Sequence, residues 1–388
     1  MAKALVNNAM LAWASERAGM PAEEISERMG ASLDRVNAWL SGEDKPTFRQ
    51  AQTLAGILNV PFGFLFLEHP PVEEIPLPDL RTVGGDPARK LDLNFRDLLK
   101  DVLFKRDWFR DFLEQIDGEP LPFVGSFGLD ANPKDVAKNM RETLLGADGA
   151  LPPARNWEAY LSELMKAAEA AGIWVMRNGI VGSNTHRPLS VAQFRGFAIS
   201  DPLVPLIFIN GRDAKAAQIF TLAHELAHIW LGESGISNVN IGQVDFGVHR
   251  ALERKCNQIA AEFLVPADVF RQHWQADRSF NENIEWNTRQ FRVSRVVIGR
   301  RAFDLRLCTD DEYRQLYATE RAQWERDDEA AGGGGDFYRT LPMRNGQRFT
   351  NSVVNQAISG QLLLRQAAAL LNTQPASVVK FYRKRQAA

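Results

Sequence analysis

Cysteine is scarce in this chain. Cys256 and Cys308 are the only two in 388 residues, too few for a disulfide framework, and this usage points to a reducing compartment. Uninterrupted apolar runs are missing as well: no stretch reaches the roughly 18 residues of a membrane-spanning helix. Asn7, Asn8, Ser15 and Glu16 break up the N-terminal apolar residues, so no signal-peptide pattern forms. The expectation is a cytoplasmic protein without a membrane partner. An excess of charge of one sign is also lacking, since 46 Lys and Arg face 48 Asp and Glu. A net charge of −2 excludes a generic polyanion binder. What remains, 45% hydrophobic and 24% charged, suits a globular chain of two or three domains that is mainly α-helical.

Two of only six histidines stand four residues apart in Thr221-Leu222-Ala223-His224-Glu225-Leu226-Ala227-His228-Ile229-Trp230-Leu231. On a helix that spacing puts both imidazoles about 40° apart and roughly 6 Å along the axis. Rings so placed reach one Zn²⁺ at about 2.0–2.1 Å. Glu225 lies about a quarter turn round, suited to take a proton from a metal-bound water rather than to ligate. Ala217, Phe220, His224, Ala227, His228 and Leu231 form an apolar stripe, so the competing reading is a pair of satisfied core histidines.

A catalytic zinc needs a third protein ligand, and Ile229 to Ser234 contain no histidine. Leu252 to Val265 reads as a second helix stopped by Pro266, with Glu253, Asn257, Ala260 and Leu264 on one face. The small Ala260 would let this face approach the first helix and bring Glu253 to the metal, with Asn257 one turn on as an orienting partner. Asp245, His249 and Glu262 compete for the third position, His249 most strongly because it precedes Glu253 by four. Cys256 reads as a small core residue.

These blocks, with the strand Pro205 to Asn210 before them, resemble the ImmA/IrrE family of zinc metallopeptidases over roughly 170–270. The resemblance implies ligand roles for His224, His228 and Glu253 and a general-base role for Glu225. Zn²⁺ is the implied cofactor, although a His₂Glu set also holds Mn²⁺ or Fe²⁺. Ile173 to Met176, Phe194 to Ile199 and Leu203 to Ile209 read as strands, so this part should be a small α+β, zincin-like domain. Gly232 to Val248 reads as a loop beside the site.

The expected organisation is a head over 1–70, a linker over 71–90, a helical connecting region over 91–170, the metal domain over 171–325, a flexible break over 326–335 and a basic helical appendage over 336–388. The head shows five short helices punctuated by Gly19, Gly30 and Gly42, and resembles the lambda-repressor-like (XRE) helix-turn-helix fold. The resemblance implies that Ser32, Asp34, Arg35 and Asn37 face the base edges of operator DNA. Six bases against eight acids over 1–70 set beside this an equal alternative, a module of homodimerisation or protein contact. The charged residues of 91–116, Lys105 among them, read as a solvated face. Arg289, Arg292, Arg295, Arg300 and Arg301 are either nucleic-acid contacts or the charged face of an ordinary helix. Residues 336–388 carry eight bases against Asp336 alone, which points to an acidic partner.

Two functions follow. One is a regulatory zinc endopeptidase, whose substrate the family resemblance implies to be a transcriptional repressor or other regulatory protein. The other is a non-proteolytic regulator or antitoxin that binds DNA and a toxin.

Overall fold

The computed structural model describes residues 2–71, 92–152, 154–237, 250–327 and 337–386. The linker expected at 71–90 lies outside them apart from Pro71, as does all of 326–335 beyond Asp327. The chain divides into two compact units, Met1–Pro76 with Lys90–Asp97, and the remainder. No helix among the described residues is long and apolar enough to cross a membrane.

The first unit is helical. Its elements are α1 (Asn8–Ala18), α2 (Ala22–Met29), α3 (Leu33–Ser41), α4 (Phe48–Ile57) and a 3₁₀ turn (Phe62–Phe66). Asn7 caps α1 by accepting from Ala9 N, and Thr47 with Gln50 forms a capping box on α4. Gly30 closes α2 at φ +61°, a backbone state that a side chain would strain, and the chain turns there into α3. Leu11, Ile25, Val36, Trp39, Leu54 and Leu58 form the core between these helices.

The second unit is built on a four-stranded sheet. Strands β1 (Trp174–Asn178), β4 (Gly196–Ile199), β5 (Leu206–Asn210) and β6 (Gly235–Ser237) lie in the order β1-β5-β4-β6. β1 runs parallel to β5, while β4 is antiparallel to both of its neighbours. A separate hairpin joins β2 (Ile180–Val181) to β3 (Asn184–Pro188). Every residue of β1, β4 and β5 is buried, because the sheet is covered rather than half-solvated. The short β6 falls at the start of the loop expected over 232–248, because its three residues carry too little pattern to be read.

On one side of the sheet lies α8 (Lys215–Leu231), packed against β4 and β5 and, on its other side, against α9 (Arg250–Leu264). Helices α6 (Pro133–Leu145) and α7 (Trp157–Ala170) close over α8 and α9. A helix covered all round must be apolar all round, and α8 is buried from Ile219 to Leu231. Beyond α9 come α10 (Ala267–His273), α11 (Phe280–Phe291), α12 (Arg295–Asp304) and α13 (Asp310–Asp327).

Four of the five arginines at 289–301 pair within this layer, while Arg292 closes α11 in the left-handed state. Arg289 and Arg295 meet Glu285, Arg295 also meets Glu320, and Arg300 meets Asp304. Arg301 is buried, paired with Glu262 and donating to the Val265 carbonyl, so it is not available to nucleic acid.

The C-terminal helices α14 (Phe337–Asn345), α15 (Gln347–Ile358), α16 (Leu364–Leu370) and α17 (Pro375–Gln386) belong to this same unit. Phe349 stacks on Trp174 of β1 at 4.6 Å and meets Phe109 edge-on at 5.4 Å. The Trp174 indole N–H donates to the Asn345 carbonyl at 2.6 Å. The basic segment is therefore a packed layer, not a free appendage. Lys105 of α5 (Leu93–Gln115) shows the consequence: expected on a solvated face, it is 1% exposed, paired with Asp101 at 2.6 Å and donating to Asn345 Oδ1 at 3.0 Å.

Candidate metal centre

α8 runs through the middle of the second unit, and its side chains from Gln218 to Leu231 are buried. His224, Glu225 and His228 are each 0% exposed. The four-residue spacing brings the two imidazoles together as the helical geometry requires, with Nε2 of His228 3.1 Å from Nε2 of His224.

α9 supplies the carboxylate. Glu253 Oε2 lies 3.3 Å from His224 Nε2, and Glu253 Oε1 lies 3.3 Å from His228 Nε2. Tetrahedral donors at about 2.0–2.1 Å from a zinc ion are themselves about 3.3 Å apart, roughly 1.6 bond lengths. The spacing of these donors fits that ion. Ala260, one of the small residues at the α8–α9 contact, is fully buried, as close approach of the two helices demands.

The charges agree with a shared site. Burial disfavours the charged Glu253, yet His224 and His228 outweigh it and hold the carboxyl well below the usual carboxylate range. Burial also opposes charge on His224, but Glu253 beside it, with Glu225 and Asn257, raises that ring above its ordinary value. His228 is lowered by burial and, against the pull of Glu253, by the charge on His224. Two rings this close share one proton at most.

Asn257, one turn beyond Glu253, places Oδ1 3.1 Å from His224 Nδ1. Because that oxygen only accepts, Nδ1 carries the hydrogen and Nε2 presents a lone pair toward His228 and Glu253.

The other sequence candidates separate cleanly. Glu262 is turned away, paired with Arg301 and capping α10 through Ala267 N at 3.1 Å. Asp245 and His249 lie outside the described residues. Ser32, Asp34, Arg35 and Asn37 are all exposed at the start of α3, in the other unit.

Residues 168–303 match the IrrE N-terminal-like domain family. This IrrE-like segment runs from the end of α7 through α12 and contains every residue of the cluster. Residues 345–384 match a second family, described as a domain of unknown function (DUF8813). No curated protein matches the chain.

Two features of the IrrE-like segment escape a reading of periodicity. Cys256 is fully buried, and its Sγ groups with the donor atoms of His224 and His228, all within 4.8 Å of one another. It therefore competes with Glu253 as third donor. Glu253 is favoured on geometry, because its two oxygens lie at 3.3 Å, one from each ring.

The other is Gly196 of β4. A Cβ there would lie 2.6 Å from Thr221 Cγ2 and 2.9 Å from Glu225 Oε1, so only glycine lets the sheet approach the carboxylate this closely. Its signal in the sequence is a lone glycine in an apolar strand.

Proposed function

We propose that this protein is a zinc-dependent endopeptidase, with His224, His228 and Glu253 as metal ligands and Glu225 as general base. The carrying observation is the convergence of two imidazoles and a carboxylate within 3.3 Å, with a second carboxylate on the same helix as the imidazoles. Three protein donors leave a fourth position for water, the arrangement of catalytic rather than structural zinc sites. The match of residues 168–303 to the IrrE N-terminal-like domain supports the same reading.

A zinc ion held there would polarise the scissile carbonyl and acidify the attacking water. Glu225 accepts the proton of that water and later delivers it to the leaving amine. Asn257 holds the His224 ring in the tautomer that keeps Nε2 available. Among the described residues no strand pairs with the outer side of β6, and this edge suits an extended peptide added to the sheet. The substrate in this reading is a transcriptional repressor or another regulatory protein. For the first unit we propose homodimerisation or protein contact, since its acids outnumber its bases.

A second reading is favoured by Cys256. Were its thiolate to join His224, His228 and Glu253, four protein donors would close the site and make it structural. The protein would then act as a non-proteolytic regulator or antitoxin.

The Glu225→Gln variant separates the two. Its purified protein should keep its zinc, measured by elemental analysis, while peptide termini generated in cells expressing the wild type disappear from N-terminal peptide profiles. Identical profiles for wild type and variant would remove the peptidase reading.

A further inference from the structure

The basic charge of the C-terminal layer is not spread evenly over it. Between Phe337 and Gln386 there are eight Lys and Arg and no acid. Some of these are spent inside the fold: Arg348 donates to the Gly172 carbonyl, and Arg385 ties α17 to α15 through Asn351 and Asn355 at 2.6 and 2.8 Å.

Of the other six, three lie on α17: Lys380, Arg383 and Lys384. Val378 and Phe381 are buried and, with Arg385, define the face turned to α15 and α16. At 100° per residue, Ala376, Lys380, Arg383 and Lys384 cluster on the opposite face, and all four are exposed. Lys380 and Lys384 sit over the Tyr338 ring at 5.3 and 4.2 Å, which steadies their ammonium groups on that face.

α16 precedes α17 by a short turn, Leu371 to Gln374, in which Asn372 adopts the left-handed state at φ +50°. The two helices pack on each other, and α15 packs on both. Arg365 and Gln366 are exposed in the first turn of α16.

We infer that α16 and α17 form a helix–turn–helix interface for double-stranded DNA, with α17 as the inserted helix. Its 12 residues span about 18 Å. A major groove about 12 Å wide admits such a helix, and Lys380, Arg383 and Lys384 then meet phosphates or base edges while Arg365 contacts the flanking backbone. This interface is independent of the metal centre. It also differs from α3, whose exposed residues include Asp34 and whose unit carries an acidic balance.

The test uses the full chain and a fluorescein-labelled 30-base-pair duplex of mixed sequence, followed by anisotropy between 50 and 200 mM salt. Four phosphate contacts predict a log–log salt slope of about −3 to −4. The variant Lys380→Ala/Arg383→Ala/Lys384→Ala should bind at least about tenfold more weakly at 50 mM salt, with the slope reduced by about three. Arg383→Glu alone, which leaves the Tyr338 contacts in place, should weaken binding in the same direction, and Arg35→Ala on α3 should change it less than about twofold. Melting followed by circular dichroism should be unaltered in the two single variants and lowered by only a few degrees in the triple variant, which loses the two Tyr338 contacts. Absence of salt-sensitive binding at 50 mM, wild-type affinity in the triple variant, or equal loss in Arg35→Ala would overturn the assignment. So would displacement of the duplex by polyglutamate as readily as by unlabelled duplex, which would make the partner an acidic protein.

Discussion

Replacing Gly196 by alanine tests whether the sheet sets the position of Glu225. The added Cβ would stand 2.6 Å from Thr221 Cγ2, 2.9 Å from Glu225 Oε1 and 3.0 Å from the Phe208 carbonyl oxygen. Carbon atoms settle at about 3.5–4.0 Å from one another, so Thr221 must retreat by about 1 Å. The Phe208 oxygen belongs to β5 backbone and cannot give way in compensation. Thr221 and Glu225 are one turn apart on α8, so both move away from the sheet together. A misplacement near 1 Å costs roughly 100-fold in rate, and overpacking of this kind costs about 1–3 kcal/mol in stability.

The zinc should survive, because the three atoms nearest that Cβ belong to Thr221, Glu225 and Phe208 and none to a ligand. Three measurements check the reasoning: the rate at which wild-type cleavage products appear, zinc content, and denaturant unfolding. The expected outcome is a rate about 10–100-fold lower with full metal occupancy. Thr221→Ser in the same background removes the worst clash and should recover part of the loss, a coupling that a double-mutant cycle would report. A Gly196→Ala protein that cleaves at the wild-type rate would refute the idea that this contact positions the carboxylate.

Cobalt substitution should resolve the third ligand: Cys256→Ala is expected to leave the visible spectrum and metal content unchanged while Glu253→Ala loses the metal, and a sulfur-to-cobalt band lost in Cys256→Ala would reverse that assignment. Phe349→Ala should lower the unfolding free energy of the second unit by about 3–5 kcal/mol, since it removes a fully buried ring stacked on Trp174; a change below 1 kcal/mol by urea titration would show that the C-terminal layer does not share the fold's core. Glu169 accepts from Gln347 N at 2.8 and 3.0 Å, and burial pushes its carboxyl up from 4.5 to about 7 against those bonds and the charge of Arg348. With the folded value above the unfolded one, its contribution is complete below pH 4.5 and is lost as pH rises through 7, about 3 kcal/mol in all. Glu169→Gln should flatten the fall in stability between pH 5 and 8, and an unchanged slope would contradict that origin.

The centre was readable in the sequence to the extent that its geometry is local. His224 and His228 four apart on one helix, and Glu253 with Asn257 four apart on the next, are periodicities that any helix must obey. The approach of α8 to α9 was readable only through the small Ala260. The closeness of Gly196 to Glu225, and of Cys256 to the two histidines, was not readable, because each is a contact with another element. The same holds outside the centre. Lys105 looked solvated because its partner Asn345 lies 240 residues away, and Arg301 looked like a charged surface residue because Glu262 and the Val265 carbonyl reach it from another helix. Charge pattern reports exposure only where no later segment of the chain returns to cover it.

The burial of the cluster bears on why it is there. Three fully buried ionisable side chains on one helix, facing a fourth on α9, are a costly way to fill a core. Each charge taken from water carries a penalty of several kcal/mol, and buried ionic groups of this kind are often replaceable by apolar residues with no loss of stability. α8 already buries Ile219, Leu222, Leu226, Ile229 and Trp230, so its packing does not depend on the polar members. The core-histidine alternative explains a single imidazole with a hydrogen-bond partner. It does not explain two imidazoles and a carboxylate drawn to 3.1–3.3 Å of one another with Asn257 fixing the tautomer of one ring. That arrangement is disfavoured by burial and rewarded by a cation, which is why the metal reading is preferred over a purely structural one.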